Sequence, residues 1–96
     1  MYWTINFTNK ASKQAKNLND KVLSVLRVLI EDLKNVGPAP GKQWPNYGKL
    51  KGKNNDARHC HLIKGNPTYI CCWKVVDKKQ KIIEVYYVGS HEKAPY

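Results

Sequence analysis

Three histidines define the chemistry open to this chain. Two sit in Arg58-His59-Cys60-His61-Leu62-Ile63-Lys64, which passes through Gly65-Asn66-Pro67 into Thr68-Tyr69-Ile70-Cys71-Cys72-Trp73-Lys74-Val75. The third, His91, lies in the polar closing run that begins Gly89-Ser90-His91-Glu92. Imidazole is the side chain whose ordinary pKa, about 6.5, lets it take or give a proton near neutral pH. If residues 58–64 form a strand, period-2 alternation sends His59, His61 and Ile63 to one face and Arg58, Cys60 and Leu62 to the other. Two imidazoles then stand side by side.

Groups of this kind suit cleavage of RNA through its own 2′-hydroxyl. A base removes the hydroxyl proton, an acid protonates the departing 5′-oxygen, and cations stabilise the dianionic phosphorane between them. His59, His61 and His91 can supply the proton transfers, Arg58 and neighbouring lysines the charge, and Tyr96 a ring on which a base stacks. The reaction needs neither a metal nor another cofactor. The histidines and Cys60, Cys71 and Cys72 are potential zinc ligands, but alternation points Cys60 away from His59 and His61, and Cys71 away from Cys72. None of these pairs has the two-to-four-residue gap of a zinc knuckle. The cysteines read as small buried hydrophobes.

Composition narrows the partner. Seventeen basic residues against seven acidic ones give 96 residues a formal charge of +10, and such an excess attracts polyanions, nucleic acid first among them. Lys49, Lys51 and Lys53 alternate in Lys49-Leu50-Lys51-Gly52-Lys53, which puts three ammonium groups on one side of an extended segment; with Lys64 they form the expected RNA-binding set. Three cysteines, two of them adjacent, and no secretory leader argue against a disulfide framework. Val22 to Val36 is interrupted by Ser24, Arg27, Glu31, Asp32 and Lys34, so no membrane span is expected. The chain reads as one soluble cytoplasmic domain covering residues 1–96.

The elements that must position these residues follow in order. Tyr2 to Phe7 alternates and is rich in aromatic and β-branched side chains, as an opening strand is. Thr8 or Asn9 caps a short helix over Lys10 to Leu18 with a basic edge, and Asn19 or Asp20 caps a longer one. Val22, Leu23, Val25, Leu26, Leu29, Ile30, Leu33 and Val36 form its apolar stripe, and Gly37-Pro38 stops it. Residues 37–52, with three prolines and four glycines, form an irregular connection that Trp44 and Tyr47 pin to the core. Strands are expected over residues 58–64, 68–76 and 81–88, with Asp77 to Gln80 as a hairpin break and a non-strand tail from Gly89. The fold class is α+β: two N-terminal helices on a small, mostly antiparallel sheet, in the order β-α-α-β-β-β.

That order, with the residues it carries, resembles the RelE/ParE superfamily of type II toxin-antitoxin toxins over essentially the whole chain. The resemblance rests on the opening strand running into Lys10-Ala11-Ser12-Lys13, on Trp44 with Tyr47-Gly48-Lys49-Leu50-Lys51-Gly52, on Arg58-His59-Cys60-His61, on Pro67-Thr68-Tyr69 with Trp73-Lys74-Val75, and on Gly89-Ser90-His91-Glu92. It implies a ribosome-dependent mRNA endonuclease of the RelE and YafQ kind, which binds mRNA in the A site of the 70S ribosome. The Arg-x-Cys-His motif of the YafQ-like branch falls on His61, its Gly-Thr-His motif on His91, and the closing aromatic of both branches on Tyr96. His59 sits where the RelE branch has the first of two alternating lysines. Arg58 and His59 then assist the phosphate, and the protein partner is an antitoxin that binds DNA and covers the basic cleft. The rival readings are a ParE-like inhibitor of DNA gyrase, which has no use for three imidazoles by the sheet, and a non-catalytic RNA-binding domain.

Overall fold

Local chemistry starts the chain. The structure, a computed structural model, describes residues 2–50 and 55–95. After strand β1 (Thr4–Phe7), helix α1 (Asn9–Lys16) opens where Thr8 Oγ1 accepts the Ala11 amide at 3.0 Å. Helix α2 (Asp20–Val36) opens where Asn19 Oδ1 accepts the Val22 amide at 2.9 Å. Each cap satisfies an amide that the first turn leaves without a helical partner. Gly37 ends α2 at φ +102°, and a Cβ there would lie 2.9 Å from Trp3 Nε1, so glycine serves both the backbone and the close approach.

Strands β2 (Gly48–Lys49), β3 (Ala57–Ile63), β4 (Tyr69–Asp77) and β5 (Ile82–Ser90) follow, and a 3₁₀ turn (His91–Lys93) closes the described chain. The sheet order is β1-β5-β4-β3-β2, with β1 parallel to β5 and every other pair antiparallel. This is the expected α+β architecture with one added strand, the two-residue β2, inside the segment read as a loop. It pairs with Arg58 and His59, a non-local partner that glycine-rich sequence does not announce.

The helices cover one face. Val22, Leu26, Leu29 and Leu33 pack against Cys60, Leu62, Cys71, Trp73, Ile83 and Val85 in one buried cluster. Trp73 is fully buried and donates from Nε1 to the Pro38 carbonyl at 3.2 Å, so the indole reaches a partner without leaving the core. Trp44 and Tyr47 pin the connection as expected: Trp44 Nε1 donates to Asp32 at 2.8 Å, and the Tyr47 ring stacks on Trp73 at 6.1 Å. All three cysteines are buried thiols. Burial pushes the Cys60 thiol up to about 12, which makes it a poor nucleophile and a poor metal ligand.

Four expectations change in detail. The first strand starts at Thr4, and Tyr2 is exposed. The apolar stripe of α2 ends at Leu33, leaving Val36 60% exposed. A register shift between His61 and Ile63 turns Ile63 back towards the helix-side core instead of leaving it beside the histidines. Strand β5 continues through Gly89 and Ser90, because they pair with Ile70 and Tyr69. No described helix is long and apolar enough to cross a membrane.

Candidate active site

The helix-free face of the sheet carries the histidines. In register, His59 lies opposite Cys72 and His61 opposite Ile70, while Tyr87 and Gly89 flank the same two residues from β5. Ile70, Cys72 and Tyr87 form a second, smaller buried cluster, with Tyr86 and Ala94 packed against it. This apolar floor stands the imidazoles up at its margin.

Short bonds bring His91 to them. Its amide donates to the Thr68 carbonyl at 2.8 Å, and its carbonyl accepts the Ala94 amide at 3.2 Å. Just upstream, Tyr87 Oη donates to the Ser90 carbonyl at 2.7 Å. A Cβ on Gly89 would lie 2.8 Å from that hydroxyl, so the glycine lets the phenol fold over the strand end and set the direction of the tail. The His61 amide donates to the Pro45 carbonyl at 2.8 Å, which anchors β3 from the other side.

The three rings therefore form a row. His61 lies 6.3 Å from His59 and 5.4 Å from His91, centroid to centroid, with the latter pair edge to face at 68°. His61 and His91 line a cleft of about 300 Å³ together with Thr68, the Gly65-Asn66-Pro67 turn and Glu92. Burial lowers the His61 pKa below its ordinary value, and the neighbouring charges of His91, His59 and Lys64 lower it further. Like charges at this range oppose double protonation of the pair. His59 is also lowered, chiefly by burial. Its Nδ1 donates to the Gly48 carbonyl at 3.3 Å, which leaves Nε2 as the acceptor of the neutral ring.

Arg58 does not join the row. Alternation turns it to the other face, where Nε and Nη2 donate to the two Asp56 carboxylate oxygens at 2.9 and 2.8 Å and Nη1 donates to Tyr47 Oη at 3.1 Å. Its side chain is only 11% exposed. The hydrogen bond to Asp56 raises the guanidinium pKa and lowers that of the carboxyl. Lys49, opposite Arg58 in register, lies 3.9 Å from the same Asp56 and is 69% exposed. Lys64 is exposed on the histidine side. The expectations for Lys51, Lys53 and Tyr96 lie outside the described residues.

Glu92, in the cleft, and Asp56, in the clamp, were not singled out from the sequence. Asp56-x-Arg58 spacing puts an acid and a base on one side of extended chain and is the signal that finds the second. Among the described residues no group of three or more His, Cys, Asp or Glu side chains has the geometry to hold a metal.

A helical hairpin lies on one face of a five-stranded sheet, with titratable groups and a short tail on the other, as in the RelE-like fold. Solved structures agree. The chain superposes on RelE from the archaeal RelE–RelB complex of Pyrococcus horikoshii with a TM-score of 0.70, at 17% identity over 98% of this chain and 100% of the other. It superposes on a mutant of E. coli toxin RelE in the free state with a TM-score of 0.71, at 20% identity over 96% and 86%. A metal-bound toxin from Helicobacter pylori gives 0.70, at 24% identity over 94% and 96%. No family model matches the sequence, and comparison with curated proteins gives no match. The fold is RelE-like.

Proposed function

We propose that this protein is the toxin of a type II toxin-antitoxin pair and that it cuts mRNA in the A site of the ribosome. The observation that carries the reading is the meeting of His61 and His91 across one cleft, from residues thirty positions apart, with ring centroids 5.4 Å apart. Each imidazole reaches about 3 Å through a hydrogen bond, so the pair can flank a single phosphodiester. His61, whose lowered pKa favours the neutral ring, takes the 2′-hydroxyl proton; His91 protonates the departing 5′-oxygen. The bond from the 2′-oxygen to phosphorus forms as the bond to the 5′-oxygen breaks, leaving a 2′,3′-cyclic phosphate. His59 stabilises the phosphate from the end of the row.

Arg58 has another part here. Held by Asp56 and Tyr47, it fixes the connection whose Gly48 carbonyl orients His59, and acts as a positioning residue. Lys64 meets RNA beside the cleft, and Lys49, Lys51 and Lys53 serve backbone binding. Tyr96 stacks on or orients a base. Such a protein works in the cytoplasm, where ribosomes are. The Pyrococcus RelE–RelB complex supports an antitoxin partner, and the +10 charge suits an acidic segment of a DNA-binding antitoxin laid over the cleft.

Induced expression in bacteria tests the reading, followed through growth, translation and transcript 5′ ends. Wild-type protein is expected to stop growth and create new 5′ ends within reading frames, while folded His61→Ala and His91→Ala proteins do neither. Intact transcripts with a DNA-damage response would point to gyrase instead.

A further inference from the structure

We infer that the groove between α1 and the end of β5 is a second RNA site, which holds the phosphate and base of a nucleotide flanking the one in the histidine cleft. The inference rests on RNA as the ligand of that cleft. The groove encloses about 470 Å³, within the usual range for small-ligand sites, and its walls include Lys10, Gln14 and Asn17 from the helical side and Tyr69, Ser90 and Lys93 from the sheet and tail.

Its lining offers donors and cations. Gln14 Oε1 accepts the Val88 amide at 3.0 Å, and since only the oxygen can accept, the amide nitrogen with its two hydrogens is left to the groove. The ammonium groups of Lys10 and Lys93 add point charges, and no carboxylate lines the groove among the described residues. Tyr87 Oη is already spent on the Ser90 carbonyl, and the buried Tyr87 ring serves as wall. The half-buried Tyr69 supplies the aromatic surface that a base needs, whatever its identity. Donors, cations and an aromatic without a carboxylate select an anion with a flat ring.

The groove also abuts the cleft. Thr68 lines the cleft and Tyr69 the groove; Ser90 lines the groove and His91 the cleft; Glu92 faces the cleft and Lys93 the groove. Tyr69 and Ser90 are themselves paired in register. The two depressions thus share a wall built from 68–69 and 90–93, and a strand bent over that wall occupies both.

The test uses the full chain and a fluorescent 2′-O-methyl tetranucleotide, which cannot be cleaved, with affinity measured from low to moderate salt. The double variant Lys10→Ala/Lys93→Ala is expected to bind about tenfold more weakly, and the slope of log K against log salt to flatten by roughly 0.7, the contribution of the one phosphate that the groove holds. A control of equal charge, Lys34→Ala/Lys42→Ala, is expected to change affinity by less than about twofold. In wild-type protein the Gln14 side-chain amide and the Gly89 and Ser90 backbone amides should shift in NMR spectra on titration. Equal losses in both double variants, unshifted groove resonances, or a groove that takes hexaglutamate and not the oligonucleotide would each overturn the site. Cleavage measured in parallel separates this from the nuclease reading. A protein that cuts RNA but ignores the groove substitutions overturns the groove alone, and one that binds through the groove yet never cuts overturns the nuclease alone.

Discussion

Arg58 and His59 are neighbours on one strand and belong to opposite environments. On the helix side, Arg58 has its guanidinium committed to Asp56 and Tyr47, and Tyr47 is stacked on a fully buried Trp73. On the other side, His59, His61 and His91 stand in a row, the last two lining an open cleft, spaced for mutual electrostatic influence. The closed side shows how this fold uses charge for stability: partners are saturated and geometry is fixed. The open side keeps its rings near one another and near solvent, where imidazoles change protonation at small cost. The two are joined at the backbone, where the Tyr47-Gly48-Lys49 segment touches Arg58 with one residue and His59 with the next.

Substitutions should therefore separate into two kinds. The largest stability effect is expected at Trp73→Ala, which opens a cavity under the sheet and should cost about 3–5 kcal/mol in denaturant unfolding. Next, His61→Ala should lower the rate of RNA cleavage by roughly 10²–10⁴-fold, the usual yield of a positioned acid or base, while shifting stability by less than about 1 kcal/mol. If His61→Ala unfolded the protein as Trp73→Ala does, the distinction between the faces would fail.

Asp56→Asn should fall between them in kind. It removes the carboxylate charge under a largely buried guanidinium and should cost about 1–3 kcal/mol, with a smaller loss of activity through the Gly48 segment. Its mark is on the histidine opposite: imidazole ¹⁵N shifts should show His59 losing its fixed Nδ1–H tautomer. An unchanged tautomer would cut the link between the two faces.

Smallest is the pH dependence of stability, which has the same sign on both faces and differs in its pH window. His59 and His61 have folded pKa values below the ordinary 6.5, so the unfolded chain binds more protons just below that pH. Stability is fully present above about 6.5 and falls as pH drops through that value towards the folded ones. Asp56 is also lowered, from an ordinary 3.8, and as an acid it contributes stability above 3.8 that disappears as pH falls through its folded value. Urea midpoints measured from pH 8 to 3 should show two separate declines. His59→Ala/His61→Ala should remove the upper one, and Asp56→Asn the lower.

Much of this was legible in sequence because periodicity is local. The caps at Thr8 and Asn19, the α2 stripe from Val22 to Leu33, and the placing of His59 and His61 opposite Cys60 and Leu62 follow from residue spacing alone. What spacing could not give is what depends on register and on bonds between distant elements. His91 reaches His61 because its amide meets Thr68 and because Tyr87 folds over Gly89; neither contact leaves a periodic trace. Strand β2 exists only through its pairing with β3. For Arg58 the alternation was sufficient to place it away from the histidines, and the role at the phosphate was read from its charge; the clamp with Asp56 accounts for its place in this chain.

The most direct test of the central claim, that His61 and His91 act as base and acid on RNA, is the pH dependence of cleavage on ribosomes programmed with a defined message, measured under single-turnover conditions. Wild-type protein should give a bell, with a low-pH limb set by the general base and a high-pH limb set by the general acid. In His61→Ala the low-pH limb should vanish, and in His91→Ala the high-pH limb. Bells of the same shape and height in wild type and in both folded variants would contradict the account.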